Sequence, residues 1–496
     1  MEYKRQLAVP QVKPRLIIHG GAGNITPEKL GPEKYKQYRH ALLTIVSKAD
    51  TYMRTPVTSN EYGYSTLKYP SALDVATYAV TLLENNPLFN SAHGAVFTRD
   101  GINEMDSSVM VSRGHTKRGV GVTGLRRVKN PILLAKAMLE HGDQDLRQNV
   151  ESGLANPDGL INPGGLGATA EDLNVPSAQG HTLIHGETAE TLAKMYGLEL
   201  VDPEYFFTQN RWDEHIRALD KEKAGKGLAT WSAEEYLPQG TCGAVSLDAD
   251  GVVCAATSTG GMTNKLTGRI GDTPVVGSGF WASEWSENGN PNIPTFEPAG
   301  DAWQSLRRCL RFPGPVVELS SSLRSLVADC LPTPLLYHTV EQAADDDLQT
   351  TRSIALSGTG NGDSFLRIAA TRTVASIAQW AELPATEALR RVAGRGGELE
   401  QSAGDRWGKT GEGEGGMIGI ESVVSRDAKG RVISTHANIL QDHNCGGMFR
   451  AWINDNGKAV MRIFHPDRVQ MIQTKAPSFE GEDEPEDVWR WGDEKA

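Results

Sequence analysis

The spacing of apolar positions along this 496-residue chain predicts alternating helices and strands. Arg15 to Ile18 is a short apolar run that ends in His19 and the glycine-rich Gly20 to Gly23, the pattern of a buried strand entering a tight turn. Lys29 to Met53 has helical spacing. Ser71 to Glu84 (SALDVATYAVTLLE) places Val75, Ala76, Ala79, Val80 and Leu83 on one helical face, behind a capping-box pair of Ser71 and Asp74. Strand-like sequence recurs at Ala95 to Phe97 and Met110 to Gly124, and Pro131 to His141 predicts a short helix. Further on, Ser353 to Ser357 predicts a strand, Phe365 to Trp380 a long helix and Ala385 to Ala393 another. A hairpin is predicted to turn at Ala428 to Gly430.

One hairpin carries more than its pattern. Thr241 follows Gly240 and opens a run that turns at Asp248 to Gly251 and returns as Val252 to Ser258. Depending on loop length and a bulge at Gly251, the residue opposite Thr241 is Thr257, Ser258 or Thr259, each with a hydroxyl. Polar, glycine-punctuated stretches interrupt the periodic segments. They predict an excursion over residues 142–180, a mobile linker over about 220–240, an insertion over about 282–351 and a disordered acidic tail from Glu482.

Charge and cysteine content narrow the partners. A net charge of -12 argues against a nucleic-acid surface and leaves small molecules or short peptides. Cys242, Cys254, Cys309, Cys330 and Cys445 show neither CxxC nor Cys/His spacing, so neither a disulfide framework nor a zinc site is expected. The first residues lack the apolar core of a secretory signal, and no run of about 18 apolar residues occurs. The expectation is a cytoplasmic protein with no membrane partner.

The chemistry gathers around Thr241. A threonine hydroxyl needs a base to attack an amide, and its own α-amino group, with a reference pKa of about 7.7 to 8.0, is one. That base exists only if the chain is cut between Gly240 and Thr241. Arg269 and Asp272, in the glycine-rich TGRIGD, suit the carboxylate and ammonium of an α-amino acid, and equally suit a surface ion pair. GGAG is neither GxGxxG nor a P-loop, and His19 is expected as a hydrogen-bonded core or loop histidine without a proton-transfer role.

With these residues in view, the sequence resembles the plant-type (type III) asparaginase and isoaspartyl aminopeptidase family of N-terminal nucleophile hydrolases. The likeness runs through IIHGGAG (Ile17 to Gly23), SALDV (Ser71 to Val75) and PLFNSAHGAVFT (Pro87 to Thr98). It continues through GTCGAVSLDADG, AATSTGGMTNKLTGRIGDTPVVGSG, ALSGTGNGDSFLR (Ala355 to Arg367) and GGMFRAW (Gly446 to Trp452). The resemblance implies a mixed α/β, four-layer αββα sandwich, cut into an α subunit (1–240) and a β subunit (241–496) that pair and assemble as a dimer of heterodimers. Thr241 would be the nucleophile, Thr257 the support for its hydroxyl, and Thr359 and Gly360 the oxyanion hole. Arg269, Ile270, Gly271, Asp272, Asn361, Gly362 and Asn90 would bind an L-aspartyl moiety. Backbone carbonyls of Leu83, Glu84, Asn86, Phe89, Ser91 and His93 would hold a structural sodium ion, with no cofactor for catalysis. The implied reaction is hydrolysis of L-asparagine, or of β-aspartyl peptides, through an acyl-enzyme.

The chain also departs from the family. Met110 is followed by Val111, Ser112 and Arg113 in place of the family's usual continuation, and the excursion and insertion lengthen it. The insertion separates the Arg269/Asp272 pair from TGNG, so it is expected to border the leaving-group side of the pocket. Glycosylasparaginase or a threonine aspartyl endopeptidase of the same superfamily, or an inactive scaffold, are the rival readings.

Overall fold

The computed structural model describes residues 12–61, 64–113, 119–152, 178, 180–237, 240–287, 296–298, 337–339, 349–381 and 383–464. Most of the expected excursion and insertion, and the whole acidic tail from Glu482, lie outside them.

The chain divides into two compact units. The smaller comprises Met1–Pro10, Trp285–Arg352 and Val424–Ser434. Among its described residues, Phe296–Pro298 pairs antiparallel with Tyr337–Thr339, and the Arg352 guanidinium lies 5.5 Å from the Trp285 ring centre.

The larger unit comprises Gln11–Glu284, Ser353–Val423 and Thr435–Ala496. In chain order the main strands and helices begin with β1 (Arg15–Gly23), α1 (Pro32–Arg54), α2 (Ala72–Glu84), β2 (Met105–Val111), β3 (Gly119–Leu125) and α3 (Pro131–Ser152). They continue with β4 (Leu183–His185), α4 (Gly186–Met195), α5 (Gln209–Lys223), β5 (Cys242–Leu247), β6 (Val253–Thr259) and β7 (Phe280–Ser286). After β8 (Gln349–Gly360) come α6 (Gly362–Ile368), α7 (Ala370–Trp380) and α8 (Ala385–Ala393). Last are β9 (Gly415–Arg426), β10 (Val432–His443), β11 (Gly447–Ile453) and β12 (Ala459–Phe464).

An eight-stranded sheet runs β12-β11-β1-β5-β6-β2-β3-β4, and a four-stranded sheet runs β10-β9-β8-β7. β1 lies between β5 and β11, antiparallel to both, with Ile18 opposite Ala244 and Ala451. Leu16 and Ile18 of β1 join Leu42 and Val46 of α1 and Val75, Ala79 and Leu83 of α2 in one buried apolar cluster. Each such side chain contributes about 1.5–3 kcal/mol when fully buried. α2 starts as its sequence predicts: Ser71 accepts from Asp74 N–H while the Asp74 carboxylate accepts from Ser71 N–H, a full capping box. Asp248 in the β5–β6 turn accepts from Ala72 N–H, tying that helix start to the hairpin.

Several boundaries differ from the sequence pattern. Met110 to Gly124 is two strands, and β2 begins at Met105 because buried polar residues conceal it. Ser107 Oγ donates to Thr257 O at 2.9 Å, and Asp106 accepts from Thr123 Oγ1 at 2.6 Å. Ala95 to Phe97 forms no strand, since Val96 N–H donates to Asn90 Oδ1 rather than to a ladder. The run from Phe365 to Trp380 breaks at Ala369, which sits at φ +46; the first free N–H groups of α7 donate to Gly277 and Ser278 carbonyls. α3 extends past His141 to Ser152. α5 runs through Lys223, into the stretch read as a linker, and Ala229, Trp231 and Leu237 beyond it are buried. No described helix is long and apolar enough to cross a membrane.

Candidate active site

Thr241 lies at the head of β5, 4% exposed. What precedes it is defined by two glycines. A Cβ on Gly240 would sit 2.2 Å from Gly21 Cα and 2.9 Å from Ala22 N, while Gly21 itself has φ +122. Backbone therefore packs on backbone here, and an L side chain at either position has nowhere to go. The apolar strand ending in glycines exists to let Gly240 approach this closely. A Gly240→Ala variant should consequently displace β1 or Thr241, and a misplacement of about 1 Å costs on the order of a hundredfold in rate. Any backbone cleavage between residues 240 and 241 is expected to slow by that order, read as the time course of the precursor band on a denaturing gel.

The ladder decides which hydroxyl faces Thr241. Cys242 pairs with Ser258 and Gly243 with Thr257, so one further step sets Thr241 against Thr259. Thr257, the partner implied by resemblance, is opposite Gly243, one pleat away, and its hydroxyl lies 3.3 Å from Ser357 Oγ. The reason is the turn. Leu247 pairs with Val253, so the loop spans Asp248 to Val252, held by Asp248 Oδ1 accepting from Asp250 and Val252 N–H. The Thr241 hydroxyl is itself 3.2 Å from Thr273 Oγ1. Thr273 went unremarked in the sequence, although it directly follows Asp272.

Below this level lies a buried polar layer. His19 Nε2 is 2.7 Å from Ser357 Oγ, and a Cβ on Gly243 would collide with both side chains. Burial pushes the His19 imidazole down to about 3, with a bond to the Thr241 backbone acting in the opposite sense. It is therefore a neutral, hydrogen-bonded core histidine, as its sequence setting suggested.

In the four-stranded sheet, Thr359 lies one residue before the end of β8 with its side chain fully buried, and its Oγ1 accepts from Ala22 N–H at 3.1 Å. Because that contact occupies a lone pair, the hydroxyl hydrogen is free to point elsewhere. Gly360 has φ +143, and a Cβ there would meet Glu414 O at 2.3 Å. Asn361 N–H donates to the same carbonyl at 2.8 Å, while the Asn361 side chain caps α6 by accepting from Ser364 N–H at 3.0 Å.

The charged pair lies against the loop that follows Thr359. A Cβ on Gly362 would be 2.6 Å from Asp272 Oδ1 and 3.0 Å from Arg269 Nη2, so the backbone of TGNG abuts both side chains. Arg269 Nη2 is 3.0 Å from Asp363 Oδ2. Asp272 is 4% exposed, and its Oδ2 has no hydrogen-bond partner among the described residues. Burial pushes its carboxyl up to about 7, against the pull of Arg269. This is a buried acid presenting an unfilled acceptor. Ile270, between them, is 40% exposed, and Gly271 packs under the Arg269 guanidinium.

Asn90 reaches the site from the end of α2, donating through Nδ2 to Gly261 O at 2.6 Å. Around it, the carbonyls of Asn86, Phe89 and Ser91 each accept one backbone N–H, which leaves each a second lone pair, while the Leu83 carbonyl accepts from the Asn85 and Asn86 N–H groups. A Cβ on Gly94 would lie 2.1 Å from Phe89 O and 2.7 Å from Pro87 O, so carbonyl oxygens converge where only glycine fits. Glu84 contributes a buried carboxyl that accepts from Ser258 Oγ at 2.6 Å and Ile132 N–H at 2.9 Å; burial pushes it up to about 7. His93 bonds through Nδ1 to Tyr205 O at 2.6 Å. No group of three or more His, Cys, Asp or Glu side chains placed to hold a metal occurs among the described residues.

Contacts thus link Thr241 to Thr273 beside the Arg269/Asp272 pair, and Gly240 through Gly21 and Ala22 to Thr359, while Gly260, next to Thr259, packs on Asn90 and Thr257 lies one pleat further along β6. The strands and helices define a mixed α/β protein, in which a strand-leading threonine behind a close-packed glycine lies 3.2 Å from Thr273, the residue after the arginine and aspartate pair. A family model described as asparaginase matches residues 12–152 and 173–286. The chain is 32% identical over 296 residues to the putative isoaspartyl peptidase/L-asparaginase of Dictyostelium discoideum, covering 54% of this chain and 70% of that protein. It is 35% identical over 271 residues to the isoaspartyl peptidase of Escherichia coli (strain K12), covering 55% and 68%. With the plant-type L-asparaginase of Pyrococcus furiosus it shares 33% over 277 residues, covering 54% and 70%. The chain belongs to the asparaginase family, and it is a hydrolase acting on carbon–nitrogen bonds.

Proposed function

We propose that this protein is an autoprocessed threonine amidohydrolase that hydrolyses L-asparagine, β-aspartyl peptides, or both. The observation that carries the reading is the unfilled, buried Asp272 carboxylate beside Arg269, on the same centre as Thr241. An ammonium and a carboxylate one carbon apart answer that pair, and a side-chain amide of the same molecule then reaches Thr241.

Cleavage after Gly240 frees the Thr241 amine, which takes the proton from its own hydroxyl as that oxygen attacks the amide carbon. Thr259, opposite by register, and Thr273, at 3.2 Å, hold the hydroxyl in line. The developing oxyanion meets the Thr359 hydroxyl and the Gly360 N–H, fixed by the Ala22 and Glu414 contacts. Ammonia or an amine leaves with the proton, and water then attacks the ester to release aspartate and regenerate the amine and hydroxyl.

Two cut subunits, 1–240 and 241–496, would remain packed through β1 and β5, with the four-layer αββα arrangement completed by the helices after β8. The carbonyl set of Asn86, Phe89 and Ser91 is the hard-oxygen donor type that suits a sodium ion, which would stiffen the loop carrying Asn90.

The test is ammonia release from L-asparagine and aspartate release from β-aspartyl dipeptides, with intact-mass analysis of the same sample. Activity together with a fragment beginning at Thr241 is expected, and activity from a wholly uncut chain would overturn the mechanism. Thr359→Ala should lower kcat by about 10²–10³-fold in the processed enzyme, with KM changed far less, because the lost donor acts on charge that develops only in the transition state.

A further inference from the structure

The stretch between α5 and Thr241, which the sequence presents as charged and glycine-punctuated, is bonded to the loops that frame the site. Ala229 O accepts from Asn264 Nδ2 at 3.1 Å, and Ser232 O accepts from Asn24 Nδ2 at 2.8 Å. Asn264 lies between β6 and Arg269, and Asn24 directly follows β1. Between these two anchors, Trp231 is 8% exposed. Its ring lies on Gly411, where a Cβ would come within 2.2 Å of Cδ1, and its Nε1 donates to Glu414 Oε2 across a long 3.5 Å. Glu414 is also the residue whose carbonyl accepts from Asn361 N–H and stops any side chain at Gly360. A continuous set of contacts therefore runs from Trp231 through residues 411–414 to the turn that presents the Gly360 N–H.

We propose that Trp231 is a positioning residue: it keeps residues 229–232 docked after the chain is cut, and through the 411–414 loop it holds the Gly360–Asn361 turn in register for the oxyanion. The effect on rate rests on the function proposed above. Cleavage frees the chain only beyond this anchor, so the stretch past Ser232 is released from the nucleophile while Trp231 stays. Two features favour anchoring over mere core filling. The residue sits where a large ring replaces a glycine's missing side chain, and its polar edge meets an acid whose backbone is part of the site. Burial raises the Glu414 carboxyl, and the indole N–H opposes that shift.

The experiment uses the full chain in two backgrounds. In uncut Thr241→Ala protein, hydrogen exchange of peptides covering 226–237 and 356–366 is compared with and without Trp231→Ala. Faster exchange of 356–366 in the double variant is expected; unchanged exchange there overturns the coupling whether or not the enzyme cleaves itself. In the wild-type background, processed enzyme should retain protection over 229–232, and loss of that protection on cleavage overturns the docking. Fully processed Trp231→Ala should show kcat lower by about 10–100-fold with KM nearly unchanged, and Trp231→Phe, which keeps the ring on Gly411, should recover most of it. Equal kcat in Trp231→Ala and wild type refutes the rate effect. Failure of the wild type to cleave or hydrolyse refutes the proposed function instead.

Discussion

Replacing Thr241 by alanine is expected to leave the chain whole and to abolish hydrolysis. Both consequences follow from one oxygen. In the proposed mechanism the hydroxyl attacks the Gly240 carbonyl before cleavage, at a position where Gly240 packs on Gly21 with no side chain between them. After cleavage, in the same proposal, that oxygen attacks substrate with the new amine as its base. Alanine removes the nucleophile from both reactions while leaving the tightly packed backbone undisturbed, so the variant should fold normally. Loss of a nucleophile that acts as a unit with its base lowers kcat by roughly 10⁴–10⁶-fold, which in practice means no detectable ammonia. Thr241→Ser should cut and turn over, because the reacting oxygen survives. Intact mass and ammonia release check both variants. A correctly cut Thr241→Ala chain would show that something other than this hydroxyl breaks the bond.

Much of this centre was legible because its chemistry needs unusual local sequence. Glycine before a strand-leading threonine, glycines ending β1, and an arginine and aspartate three apart are all visible without a structure, and Ser71 with Asp74 marked the start of α2 correctly. The failures have a common cause, contacts from distant chain. Thr257 and Thr259 differ by one pleat, and only the full Asp248 to Val252 turn, held by the Asp248 side chain, decides between them. Asp106 and Ser107 hid β2 because polar residues are satisfied inside the sheet by Thr123 and Thr257. Ala369 interrupts an otherwise helical pattern because Gly277 and Ser278 claim the next N–H groups. Thr273 and Trp231 matter only through partners that lie 32 and 183 residues away, Thr241 and Glu414 respectively. Periodicity carries no such information.

Asp272→Asn is expected to raise KM steeply and, unusually for an active-site change, to stabilise the substrate-free protein above neutral pH. The carboxyl is buried, and its Oδ2 has no hydrogen-bond partner among the described residues. In the proposed complex it pairs with the substrate ammonium, and truncating one partner of such a buried charged pair costs about 2–5 kcal/mol, or roughly 30- to several thousand-fold in KM. The same burial raises its pKa to about 7 in the folded protein from the usual 3.8. A raised folded value means the acid's contribution to stability is fully present below its unfolded pKa and is lost as pH climbs through about 7. A neutral amide escapes that loss, which is on the order of 4 kcal/mol at most. Thermal unfolding of the free variant and wild type should therefore diverge between about pH 4 and about pH 7, with the variant ahead at the upper end. For the wild type, kcat/KM should rise as pH passes upward through about 7, since the carboxylate that receives the ammonium and the neutral Thr241 amine both become available in that direction. An aspartyl product should restore the wild type's stability at high pH, because its ammonium supplies the missing partner, and should do nothing for Asp272→Asn. Equal KM values in the two proteins would remove Asp272 from the substrate site, whereas matching unfolding curves across that pH range would show that the buried acid is paired in solution by a group the site does not display.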